Sequence, residues 1–197
     1  MQPISLTVSL MMQNFSAPEF ILSFAAPLFF FAMLYLLCNR IYLRKITNRF
    51  DLNDFDYVIN NRQALIGIKN DRNSSRSAAM YMLAVAYFAK GNDEAFLSYV
   101  NQIKHPDYIG EKIYMQALHS IVTQNGYFPM LREQLIASSS PEKVRFLTRL
   151  DCITELCCNP YCDVQSHKIF IMAFNSRNPG RITDFIAQCR NNMKEGL

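Results

Sequence analysis

The first 39 residues contain one charged side chain, Glu19. A water-facing surface carries interspersed charges of both signs, so this segment is not part of an ordinary soluble fold. No Lys or Arg precedes the apolar run from Phe20 to Leu37. The positive start of a cleaved signal peptide is therefore missing, and the run is also longer than such a peptide's apolar core. Past residue 50 there is no alternating apolar-polar strand pattern, and Asn125-Gly126 does not join two alternating runs, which excludes a sheet protein. Histidine is scarce, with His105, His119 and His167 only, and there is no HExxH, GxSxG, GxGxxG or phosphate-loop pattern. Those absences remove the familiar catalytic signatures, and the chain is not expected to be an enzyme or to need a cofactor.

No CxxC pair is present among the six cysteines, Cys38, Cys152, Cys157, Cys158, Cys162 and Cys189. Structural zinc wants four ligands, often as two close pairs. Cys157, Cys158, Cys162 and His167 are the one constellation to weigh, with Cys152 or Cys189 as a further ligand. The alternative is a helix end rich in small buried thiols, which pack as modest hydrophobes. Asp151 and Glu155, four apart beside Arg145 and Arg149, read as a surface ion-pair ladder rather than as paired catalytic carboxylates.

What is present is first an apolar stretch. The sequence FILSFAAPLFFFAMLYLL, with Cys38 and Asn39, supplies about 20 uncharged residues, the length that crosses a hydrocarbon core as a helix. Five Phe and five Leu fall on every side of that helix with no polar stripe, unlike the core helix of a soluble protein. Pro27 interrupts one backbone hydrogen bond, which membrane helices tolerate. Tyr35 and Tyr42 suit the headgroup interface. Arg40, Arg44, Lys45 and Arg49 follow the run within ten residues. The positive-inside rule then places the N-terminus outside and the rest in the cytoplasm, at an inner or plasma membrane. These four are the candidate membrane-surface residues, each attracted to anionic lipid by about 1 kcal/mol. They also account for the whole net charge of +4, so the remainder is close to neutral. A nucleic-acid partner would need a basic face, and none is expected.

The organisation read from these features is a short non-cytoplasmic segment (1–18), a transmembrane helix (19–39), a basic juxtamembrane segment (40–50) and a cytoplasmic all-α domain (51–197). Caps and breakers place helices at about 53–69, 76–90, 92–104, 110–124, 128–138, 141–158, 162–175 and 179–193. Gly91 stops the second of these, and Asn92 caps the third with Asp93 and Glu94 in its first turn. Pro141, after Ser140, is expected at the first position of the sixth. Short loops make consecutive helices antiparallel neighbours.

Tyr81-Met82-x-Ala84 recurs as Tyr114-Met115-x-Ala117, a spacing of 33 residues. In the first unit Leu83, Ala84 and Tyr87 are followed by Gly91, then Glu94-Ala95 and Tyr99, then Pro106. This segment resembles a tetratricopeptide repeat, with a turn one residue short and an early closing proline. The second unit, Tyr114 to Leu135, matches loosely, with Ser120 where a tyrosine belongs, and the last three helices do not match.

The resemblance implies stacked helical hairpins, a solenoid with a concave groove, and binding of a protein or peptide rather than catalysis. Groove residues of that family lie on the first helix of each pair. Here they would be Met80, Tyr81, Tyr87, Lys90, Lys112, Gln116 and His119, with core packing as the alternative role of the apolar ones. The expected function is a membrane-anchored adaptor that recruits or positions a partner. The alternatives are a structural subunit of a membrane complex for assembly, secretion or transport, and a metal-binding or enzymatic domain.

Overall fold

The computed structural model describes residues 17–69, 71, 74–159, 161–162 and 180–195, and no strand occurs among them. Contacts separate a unit ending at Arg44 from a unit beginning at Lys45. Helix α1, Ala17–Asp51, runs through Pro27 without a break. It is long and apolar enough to cross a membrane by length and composition, and none of its apolar window is buried. Phe29, Phe30 and Phe31 are all well exposed.

The pattern along α1 changes after Arg44. Ile46 and Phe50, four residues apart on one face, are buried, while Lys45, Thr47, Asn48 and Arg49 are exposed. Phe50 meets Phe55 at a ring-centroid distance of 6.2 Å and Tyr81 at 6.3 Å, both edge-on. A left-handed Asn53 turns the chain, and the Asp54 carboxylate accepts from Tyr57 N–H at 3.2 Å to cap the next helix.

One helix is expected over 53–69, and two are found: α2 Phe55–Asn60 and α3 Arg62–Ile66. The break is at Asn61, whose side-chain amide donates to Tyr57 C=O at 2.7 Å. Asparagine offers the backbone this local alternative to the helical ladder. The kink buries Leu65 and leaves Ile66 exposed.

Helix α4, Ser75–Ala89, and α5, Asp93–Val100, pack together as a pair. Asp71 holds the start of α4 by accepting from Ser77 N–H at 2.9 Å and from its hydroxyl at 2.8 Å. Those two hydrogen bonds keep the Asp71 carboxyl below its usual range. The Ser77 oxygen in turn accepts from His105 N–H at 3.0 Å, pinning the loop after α5 to α4. At the other end Gly91 adopts φ +72°, and Asn92 accepts from Ala95 N–H at 3.0 Å. Helix α5 ends at Val100, short of the expected Lys104, because the chain turns to bury Ile103 completely.

A 3-10 turn, Pro106–Tyr108, leads into α6, Ile109–Thr123. Then come α7, Phe128–Ala137, and α8, Lys143–Cys158. Pro141 and Glu142 form a turn ahead of α8 rather than its first residues, with the Ser140 hydroxyl accepting from Glu142 N–H at 3.3 Å. The last element is α9, Gly180–Glu195. The helix expected at 162–175 lies outside the described residues, apart from Cys162.

Gly110 permits α6 to meet the turn before α8. A Cβ there would overlap the Ser140 side chain, so an added methyl forces the two elements apart. Gly110→Ala is expected to cost about 1–3 kcal/mol. Gly180→Ala, where a Cβ meets nothing within 4 Å, is the control that stays neutral. Thermal unfolding followed by circular dichroism compares the two.

Candidate functional site

The end of α1, helix α4, helix α6 and the start of α8 enclose a groove of about 610 Å³. That volume falls in the range of sites that take a ligand or a few side chains. The end of α1 contributes Thr47, Phe50 and Asp51. Helix α4 contributes Ala78, Tyr81, Met82 and Val85, which share one face at helical spacing. Tyr108 closes one end. Helix α6 gives Glu111, Tyr114, Met115 and Leu118, and the last wall is Glu142, Arg145, Phe146 and Arg149.

Five rings dominate the lining. Tyr81 meets Phe50 at 6.3 Å and Tyr108 at 6.0 Å, and Tyr114 stacks on Phe146 at 4.5 Å with planes 15° apart. Burial pushes the Tyr114 hydroxyl pKa up, and the Arg149 guanidinium, which hydrogen-bonds it, works the other way. Arg145 pairs with Glu142 at 3.2 Å on the exposed rim.

Glu111 is different. Its Oε2 atom is buried and has no hydrogen-bond partner among the described residues. Burial pushes its carboxyl pKa up, and the negative charges of Glu142 and Asp107 add to that shift.

A second cluster sits where α4, α5, α6 and α9 meet. Arg181 grips Asp93 with two nitrogens at 2.5 and 3.1 Å and lies over the Phe88 ring at 4.9 Å. The guanidinium holds the Asp93 carboxyl below its usual range. His119 stacks on Phe96 at 4.9 Å with Nε2 3.3 Å from Asp93 Oδ1. Burial lowers its pKa, while Asp93 pulls it back up. This cluster fixes α9 to the domain.

The chain matches no protein-family model, no curated protein and no solved structure. The site is therefore described by its own chemistry.

Of the seven expected groove residues, Tyr81 lines this groove. Met80 is 2% exposed and His119 8% exposed, so both belong to the packed interior. Tyr87 stacks on Tyr99 at 5.4 Å. Lys90 pairs with Asp56 at 2.6 Å, and Lys112 donates to Ile103 C=O at 3.3 Å. Gln116 is half-buried and outside the lining. On α6 the lining falls one residue earlier than expected: 111, 115 and 118 instead of 112, 116 and 119. One residue is about 100° of rotation. The spacing Glu111, Tyr114, Met115, Leu118 was available in the sequence as a single face. The contribution of α8 had no local signal.

Among the basic residues, Arg40 and Arg44 are exposed. Lys45 and Arg49 lie over the Tyr57 ring at 5.7 and 5.6 Å, and Arg49 also reaches Asp54 at 3.4 Å.

Cys157 is half-buried with its thiol pKa pushed up to about 12, by burial first and then by the adjacent Cys189 thiol. The described residues contain no group of three or more His, Cys, Asp or Glu placed to hold a metal. His167 lies outside them.

An acid whose folded pKa is raised opposes folding once it ionises. That penalty is absent below the ordinary value near pH 4.5 and complete above the raised one. Glu111→Gln is therefore expected to raise the thermal midpoint at neutral pH, and the gain should fade as pH falls to about 4. Melting curves of both proteins across that range check it.

Proposed function

We propose that this chain is a membrane-anchored interaction module. In this reading α1 crosses the membrane with its N-terminus outside, and the helical domain works at the cytoplasmic face of an inner or plasma membrane. The groove takes a segment of a partner protein. The single observation that carries the reading is the 610 Å³ groove walled by five aromatic rings and two arginines, because rings and arginines are the side chains that carry most binding energy at interfaces.

The tetratricopeptide-like reading belongs here. It is supported by the packing of α4 on α5 across the Gly91-Asn92 turn and by the fully buried Ala84. Small residues allow close approach of paired helices. On this reading the pairs stack as antiparallel hairpins, and the module is an adaptor or scaffold rather than an enzyme. Arg40, Arg44, Lys45 and Arg49 add attraction to anionic headgroups. No metal or nucleic acid is part of the proposal.

A second reading is a subunit of a membrane complex. It is favoured by the uncovered side chains of Phe29, Phe30, Phe31 and Tyr35, which other membrane helices would cover. Two variants of the tagged full chain separate the readings after purification in mild detergent. Ala78→Trp fills the groove from a lining position, and a generic leucine-alanine span replaces residues 20–37. The adaptor reading expects a stoichiometric partner to survive the span replacement and to be lost with Ala78→Trp. The reverse pattern, partner lost with the span and kept with Ala78→Trp, establishes the subunit reading.

A further inference from the structure

The groove has a charge left over. Three carboxylates, Asp51, Glu111 and Glu142, and two guanidiniums, Arg145 and Arg149, line it. Both arginines are engaged, Arg145 with Glu142 at 3.2 Å and Arg149 with the Tyr114 hydroxyl. Neither reaches the buried Glu111 Oε2, which has no hydrogen-bond partner among the described residues. A buried acceptor of that kind is costly until a donor meets it.

We propose that the groove binds a partner segment through one lysine side chain, whose ammonium meets Glu111 Oε2 while its four-carbon stem lies along the surrounding rings. This deepens the reading of the groove as a protein-binding site and rests on it. The choice of cation follows from geometry. Of the two Glu111 oxygens, only Oε2 is a buried atom without a hydrogen bond among the described residues. A planar guanidinium is best matched by two acceptor oxygens side by side, and an ammonium needs only a point. Tyr81, Tyr108 and Tyr114 supply apolar faces for the methylenes and negative ring faces for the charge.

The test uses the full chain in nanodiscs of zwitterionic lipid, with methionine methyls carbon-13 labelled. Met82 and Met115 line the groove and report occupancy. The probes are blocked heptapeptides of alanine and leucine with lysine, arginine, norleucine or acetyl-lysine at the centre. The lysine peptide is expected to shift both methyl signals and to bind about ten-fold or more tightly than the norleucine and acetyl-lysine peptides. Glu111→Gln, which keeps the side-chain shape, is expected to erase that preference.

Equal binding of lysine and norleucine peptides, or a lysine preference that survives Glu111→Gln, overturns the lysine assignment and leaves the groove reading standing. Failure of every peptide to move either methyl overturns it as well. Methyl shifts that persist in Ala78→Trp overturn the groove reading itself. Shifts that appear on raising protein concentration alone name a second copy as the occupant and also overturn the proposal.

Discussion

Most elements of the domain are placed by the need to cover α4. That helix buries Ser77, Ala79, Met80, Leu83, Ala84, Val85, Ala86 and Phe88, which is more than one face. It touches α2, α3, α5, α6, α9 and the 3-10 turn. A helix apolar nearly all round must be surrounded. Its three buried alanines let neighbours approach closely, and Phe88 and Phe96, both fully buried with rings 5.4 Å apart, fill the space between α4 and α5. Burying each such ring contributes about 1.5–3 kcal/mol. The groove is what remains of the circumference: Ala78, Tyr81 and Met82 are the α4 side chains left half covered on its side.

Helix α1 changes its pattern along its length. From Ala25 to Cys38 it is apolar in every direction and exposed, long and apolar enough to cross a membrane with the residues that follow. From Lys45 on it has a narrow stripe, Ile46 and Phe50, with polar residues between. That second pattern makes its last two turns part of the core and gives the groove Phe50 as a wall. Lys45 and Arg49, beyond any attraction to lipid, also clasp the Tyr57 ring, so charge and packing share the same side chains.

How far the sequence reveals this depends on whether a feature is local. The α4–α5 turn was legible because Gly91, Asn92 and Asp93 each have a local job: positive φ, a cap on Ala95, and a charge at the helix start. The ends of α6 and α7 were legible for similar reasons. The break at Asn61 was not, because an asparagine that bonds back to Tyr57 instead of facing solvent is settled by where Leu65 must go. The early end of α5 follows from the burial of Ile103, a tertiary event. The lining of the groove was least legible. Its α8 wall is distant in sequence, and a repeat pattern fixes which helices pair but not the angle of rotation that decides whether 111 or 112 faces the groove.

Four side chains carry a buried polar atom with no hydrogen bond among the described residues: Asn53, Glu111, His119 and Arg190. They are not equivalent. Asn53 is neutral and sits in a turn. Arg190 still donates through its other terminal nitrogen to Cys162 C=O at 3.3 Å. His119 has the Asp93 carboxylate at 3.3 Å and a phenyl face beneath it, and its lowered pKa favours the neutral form. Glu111 alone is an acid beside two further acids, in a residue that lines the groove. Proteins satisfy buried polar groups almost everywhere, and exceptions that also cost stability gather at functional sites. His119 is a buried titratable group set against a neighbouring carboxylate and a ring. The glutamate is left unbalanced beside a groove with room for a ligand, and that is the basis for reading it as a binding position rather than a packing defect.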